Sequence, residues 1–331
     1  MDQNGRGVVT TLAHGGAGPL SGFAGLSETS SKVSQRRLRA WLGSSTEQAI
    51  NGYLFLLPAL TGLLVFLIGP VFYALYISFF HYSLLNPANA HFVGFRNYLQ
   101  LFRDPLFLRA LLNTSVYAVG VVPIQTALAL FLALIVDKVR GKTLFRVAYY
   151  LPTVSSTVAV SVMFLFIFEP QGLLNRFLSV FGIHGPNYFN STTFALPALM
   201  VMAVWSTAGQ FMIIYLAGLQ DIPGDVLEAA ELDGAGSWTK LWSITVPLLR
   251  RTTFLVVVVS MIGSFQVFDQ MYVVSGGNGG PVNSTLSVVL DLYNQAFLNQ
   301  RMGYASAMGF VLFVIILILT LVQNYAIGRE K

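Results

Sequence analysis

The sequence predicts an all-α integral membrane protein with about six transmembrane helices and both termini in the cytoplasm. Three observations predict it. Of 331 residues, 55% are hydrophobic and only 10% charged, whereas an ordinary soluble domain carries about 25% charged residues. Uncharged stretches long enough to cross a hydrocarbon core, about 20 residues, recur along the chain. Threading them alternately through a bilayer places most Lys and Arg on one side, which marks the cytoplasm. Composition also excludes chemistry: with no cysteine there are no disulfides, thiolate nucleophiles or cysteine metal sites. The four histidines (His14, His81, His91, His184) are not spaced to share a metal. The formal charge of +5 is placed as membrane orientation requires, so no nucleic-acid partner is expected.

In chain order, residues 1–50 form a cytoplasmic tail, rich in Gly and Ser and then basic. No apolar core follows a basic start, so no cleavable signal peptide is expected, and the composition favours partial disorder. Lys32, Arg36, Arg37 and Arg39 precede the first apolar stretch as retention charges. Residues 51–331 form the transmembrane domain. Its helices are expected at 52–80, 110–136, 147–168, 194–217, 252–274 and 302–327, with a cytoplasmic loop at 218–251. The uncharged run 177–220 is cut by Gly185-Pro186-Asn187 and Asn190-Ser191-Thr192-Thr193, which leaves 194–217 to span. Fourteen of the nineteen Lys and Arg then face inward, and Arg96, Arg103, Arg109, Arg176 and Arg301 face outward. Of the outer loops, 92–108 has apolar residues at near-helical spacing, and Gly276 to Pro281 must turn.

The inner loop between helices four and five carries chemistry. Asp221 to Gly236 holds five acidic residues on the positive side of the membrane. Asp225 to Asp233 reads as a helix with small alanines, and Gly234 as its stop. Trp238, Leu241, Trp242 and Ile244 suggest a second amphipathic piece. Such a small-faced, acidic helix suits docking in the cleft of a soluble partner; as a solvated connector its apolar residues go unexplained. Glu231 and Asp233 read as solvated surface.

The run Glu228-Ala229-Ala230, three residues, Gly234, nine residues, Ile244, one residue, Val246-Pro247 resembles the cytoplasmic loop of binding-protein-dependent ABC importer permeases. Val246 stands where that family usually has Leu. Tyr53 to Pro58 with Gly69-Pro70, and Gly94 to Phe102, resemble the start of its carbohydrate (maltose and glycerol-phosphate) branch. Phe265 to Asp269, Gly279-Gly280-Pro281 and Ser284-Thr285 resemble the first of that branch's two paired permeases. The resemblance covers roughly 50–331 and implies the type I permease fold in a bacterial or archaeal plasma membrane. It further implies a second homologous permease, two ATPase subunits that bind ATP and Mg, and an extracytoplasmic solute-binding protein. No cofactor and no catalytic residue are expected in this chain, which is not itself an enzyme. Glu228, Ala229, Ala230 and Gly234 correspond to the contact core of the coupling helix, with Glu228 meeting a basic group. Ser206, Thr207, Gln210, Ser260, Gly263 and Ser264 correspond to substrate-contact positions of maltose-type relatives.

The residues point to the same pathway independently. Sugars are bound through hydroxyl hydrogen bonds and aromatic faces. Helix four carries Trp205, Ser206, Thr207 and Gln210, and helix five Ser260, Ser264, Gln266 and Asp269. Ser206 to Gln210 spans about one helical turn. As helix-packing residues, the same Ser, Thr and Gly need no ligand. Asp269, eighteen residues after Arg251, falls ~27 Å along a continuous helix, near the outer boundary, where it reads as substrate contact, wet carboxylate or partner contact. Gly141-Lys142-Thr143 mimics the end of a phosphate loop, but Val136 stands where that pattern needs Gly. The rival class is a transporter driven by an ion gradient, disfavoured by uncharged helices one to three and the lack of a repeat. An intramembrane enzyme lacks paired acids or a histidine cluster. Within the family, peptides, amino acids or ions are alternative solutes.

Overall fold

A computed structural model describes residues 45–327. The tail expectation for residues 1–44, its basic cluster and the last four residues lie outside the described residues. The chain divides into two compact units, 1–70 and 71–331. In the first, α1 (Ser45–Leu63) passes through a π turn at Leu64–Ile68, where α2 (Gly69–Ser78) begins. From residue 49 nearly all of the unit's apolar side chains, Tyr53, Phe55 and Phe66 among them, are exposed, as side chains that face lipid are.

In the second unit, β1 (Phe80–His81) and β2 (His91–Phe92) form an antiparallel hairpin. The 92–108 stretch contains α3 (Arg96–Leu101), and α4 (Pro105–Lys138) starts with Asp104 accepting from Leu106 N–H at 2.9 Å. The expected helix at 147–168 is instead two helices, α5 (Lys142–Val154) and α6 (Thr157–Ile167), bent by 93°. Pro152 lacks an N–H for the helix ladder, and Ser155 (ψ 149°) and Ser156 (ψ 126°) are extended. The remaining elements are α7 (Leu173–Ser179), α8 (Ala195–Gln220), α9 (Gly224–Leu232), α10 (Ser237–Lys240) and α11 (Val246–Leu248). Then follow α12 (Arg250–Phe265), α13 (Asp269–Ser275), α14 (Val288–Tyr293) and α15 (Met302–Ile327). Among the described residues, five helical stretches are long and apolar enough to span, six if the bent pair is one span.

The core is built on α8, which packs against α4 and α5. A side chain at Gly209 would strike the Tyr149 carbonyl, so α5 approaches α8 backbone to backbone. The bend beyond α5 thus starts from a helix fixed against the core. The Gly276–Pro281 turn has Gly276, Gly277, Gly279 and Gly280 all at positive φ, a region open to glycine at little cost. Asn113 of α4 ties down the next segment by donating to the Asn283 and Leu286 carbonyls at 2.7 and 3.0 Å. Gly141 (φ 88°) joins α4 to α5 and Lys142 pairs with Asp137 at 3.0 Å, so this stretch is a helix joint with a paired lysine.

Candidate functional site

A cavity of about 350 Å³ opens where α12 gives way to α13. The expected continuous helix at 252–274 is interrupted there: Phe268 (φ −134°, ψ −63°) leaves helical geometry, and Asp269 begins a new helix. Non-helical backbone at membrane depth is tolerated where protein buries it or where it lines a wet cavity. Both occur here: Ser287 Oγ donates to the Val267 carbonyl at 2.9 Å, and Gln266, Val267 and Phe268 line the opening.

Of the residues expected along the pathway, Thr207, Gln210, Ser260, Gly263, Ser264 and Asp269 all line this cavity. Ser206 does not line it. Its hydroxyl donates to Ala203 O at 3.1 Å and its carbonyl accepts from Thr153 Oγ1 at 2.8 Å, so it serves the α5–α8 contact. Neighbouring positions on a helix diverge by about 100°, which turns Ser206 and Thr207 to different faces. Trp205 is likewise outside the lining and packs on Phe164. Ser260 is 4% exposed, and its hydroxyl has no hydrogen-bond partner among the described residues.

Sequence reasoning missed one wall. Tyr117, Val121 and Gln125 of α4 lie four residues apart and line the cavity together; Gln270 of α13 joins them, accepting from Tyr117 Oη at 3.0 Å. The i, i+4, i+8 spacing of Tyr117 and Gln125 in an uncharged span was the available signal. The lining combines glutamine amides, serine and threonine hydroxyls, Phe211 and Phe268 rings and one carboxylate, with no Lys, Arg or His. This set hydrogen-bonds hydroxyl groups and stacks on apolar faces.

The second site is the loop after α8. Helix α9 ends at Gly234 (φ 79°), with Ala235 N–H bonded to Ala230 O at 2.9 Å and Gly234 N–H to Glu231 O at 3.0 Å. That pair of bonds is a Schellman cap, which needs a left-handed residue where Gly234 stands. Glu228 and Ala229 are exposed, whereas Ala230 is buried and turned into the chain. Among the four expected contact residues, Ala230 therefore sits on the inner face of α9 and Glu228, Ala229 and Gly234 on the outer. Leu232 is 90% exposed, and Trp238 and Trp242 stack edge to face at 5.7 Å on the surface. Lys240 hydrogen-bonds Glu231 and holds its carboxyl below the usual range, which ties α10 to α9. An apolar, aromatic patch beside exposed carboxylates has the makeup of a protein docking face.

Residues 107–329 match a family described as "Binding-protein-dependent transport system inner membrane component". The lactose transport system permease protein LacF of Rhizobium radiobacter is 36% identical over 287 residues, covering 85% of this chain and 95% of that protein. The arabinooligosaccharides transport system permease protein AraP of Bacillus subtilis (strain 168) is 33% identical over 285 residues, covering 84% and 89%. Among solved structures, a bacterial ABC transporter involved in import of the acidic polysaccharide alginate superposes with a TM-score of 0.76. It is 23% identical and covers 88% of this chain and 99% of that one.

Proposed function

Because this chain belongs to the family of binding-protein-dependent transport system inner membrane components, we propose that it carries a carbohydrate through the cavity at the α12–α13 break. The chain is a multi-pass transmembrane subunit of an ABC importer, and ATP hydrolysis falls to a separate subunit. The observation that carries the carbohydrate reading is likeness to sugar permeases over nearly the whole length of both chains. The hydroxyl- and amide-rich lining of the cavity agrees with it.

In this reading a second, related permease completes the pathway, two ATPase subunits that hold ATP and Mg dock below, and an extracytoplasmic binding protein delivers solute from above. Both termini and the 218–251 loop lie on the cytoplasmic side of a bacterial or archaeal plasma membrane. The permease domain begins by Ser45, where α1 starts, six residues before the expected boundary at 51. Closure of the ATPases pushes on α9 as a rigid body, and its capped, salt-bridged join to α10 passes the movement to α12. Glu228 meets a basic group of the ATPase, Ala229 permits close approach, Gly234 gives the turn and Ala230 seats the helix on its own chain. Thr207, Gln210, Ser260, Gly263, Ser264 and Asp269 contact the solute, and Ser206 positions α8.

The test is uptake in proteoliposomes holding the whole assembly, its binding protein and ATP. Accumulation of a labelled mono- or oligosaccharide, lost when ATP is omitted, supports the reading. Accumulation of amino acids or peptides with no saccharide uptake overturns the carbohydrate assignment.

A further inference from the structure

A second polar pocket lies apart from the pathway cavity, between the β-hairpin and the start of α15. Gly303 sets its frame: a side chain there would strike the Phe80 carbonyl, so the hairpin and α15 meet backbone to backbone, and Gly303 N–H donates to Tyr82 O at 3.2 Å. Asn97 of α3 closes the frame by donating to the Ser78 and Phe80 carbonyls at 2.8 and 3.0 Å. The resulting cavity of about 320 Å³ is lined by His81, His91, Arg96, Gln100, Arg301 and Tyr304, among others.

The two histidines are cross-strand partners with ring centroids 5.1 Å apart, and the Arg301 guanidinium lies 4.3 Å over the Tyr304 ring. Among the described residues neither Arg96 nor Arg301 stands in an ion pair. Two carboxylates act on this site, and Asp291 Oδ2 has no hydrogen-bond partner among the described residues. Asp104 accepts from Leu106 N–H and from Tyr304 Oη at 2.7 Å; Asp291, which feels the Arg301 charge, accepts from Gln295. Two arginines lining one pre-formed concavity are the chemistry of an oxyanion site. Its depth says which oxyanion: α2 ends at Ser78 and the last span begins at Met302, so the pocket lies at the ends of membrane helices. Phosphate groups of lipids and aromatic side chains share that level. We propose that this pocket holds the phosphate of an anionic phospholipid.

The full chain, purified in mild detergent, is titrated separately with phosphatidylglycerol, phosphatidylcholine and inorganic phosphate while its melting temperature is read. The expected result is stabilisation by phosphatidylglycerol well beyond that by phosphatidylcholine. The Arg96→Gln/Arg301→Gln variant is expected to lose roughly thirtyfold in phosphatidylglycerol affinity, at about one kcal/mol per arginine. Arg96→Gln with His91→Gln, two exposed positions, gives the same direction without disturbing Tyr304. Equal stabilisation by both lipids, or an unchanged response in these variants, overturns the proposal. Stabilisation by inorganic phosphate alone assigns the pocket to a free anion, and protection only by an acidic partner protein assigns it to a carboxylate; either result overturns the lipid assignment.

Discussion

Ser260 lines the α12–α13 cavity and carries a buried hydroxyl with no partner among the described residues. A buried unsatisfied hydroxyl costs about 1–3 kcal/mol, so a solute that supplies the missing bond recovers part of that cost. Ser260→Ala is expected to leave the melting temperature unchanged or raised and to weaken solute-stimulated ATPase activity about fivefold in half-saturating concentration. Gln210→Leu should change which solutes stimulate the ATPase; an unchanged profile removes Gln210 from the site. Gly209 makes the opposite case, since its role is to admit the Tyr149 backbone. Gly209→Ala is expected to destabilise by about 1–3 kcal/mol, read as a lowered melting temperature. Asp291 bears on pH: burial pushes its carboxyl up to about 6. An acid raised above its unfolded value of about 3.9 destabilises the fold once ionised, so stability falls as pH rises from about 4 to 6. Asp291→Asn should flatten that slope and raise stability at pH 7.5 by on the order of 2 kcal/mol, measured by thermal unfolding at pH 5 and 7.5.

Among elements, those governed by local periodicity and capping were legible in the sequence. The α9 helix, its Gly234 stop and the apolar piece after it follow from helix formers, a left-handed glycine and amphipathic spacing. Polar residues on α8 and α12 marked most of the cavity. Breaks in helices were missed, because no charge marks residues 147–168 or 252–268. The α5–α6 bend needs Ser155 and Ser156 extended, and the α12–α13 interruption depends on Ser287, twenty residues away, satisfying the Val267 carbonyl. Ser206 illustrates the same limit: its type suits a cavity, but the position of α5 turns it to packing. Glu228→Lys or Gly234→Pro is expected to abolish transport while the protein remains in the membrane, since the first reverses an exposed charge on α9 and the second breaks the Schellman cap. Normal uptake in both variants would remove the coupling role from α9.

At the scale of the whole molecule, much apolar surface waits for surroundings that one chain does not supply. Lipid accounts for exposed side chains such as Phe55 and Phe66 on the first span. Leu232, Trp238 and Trp242 are exposed in the acidic 218–251 loop. Their exposure fits the proposed ATPase contact, and the open polar cavity fits the proposed second permease. This chain is expected to work only as one part of an ATP-driven assembly. Native mass spectrometry of the tagged chain, co-expressed with its chromosomal neighbours and purified in mild detergent, tests it most directly. The expected particle holds this chain, one different permease and two ATPase copies. A lone chain or homodimer without ATPase across several mild detergents would contradict it.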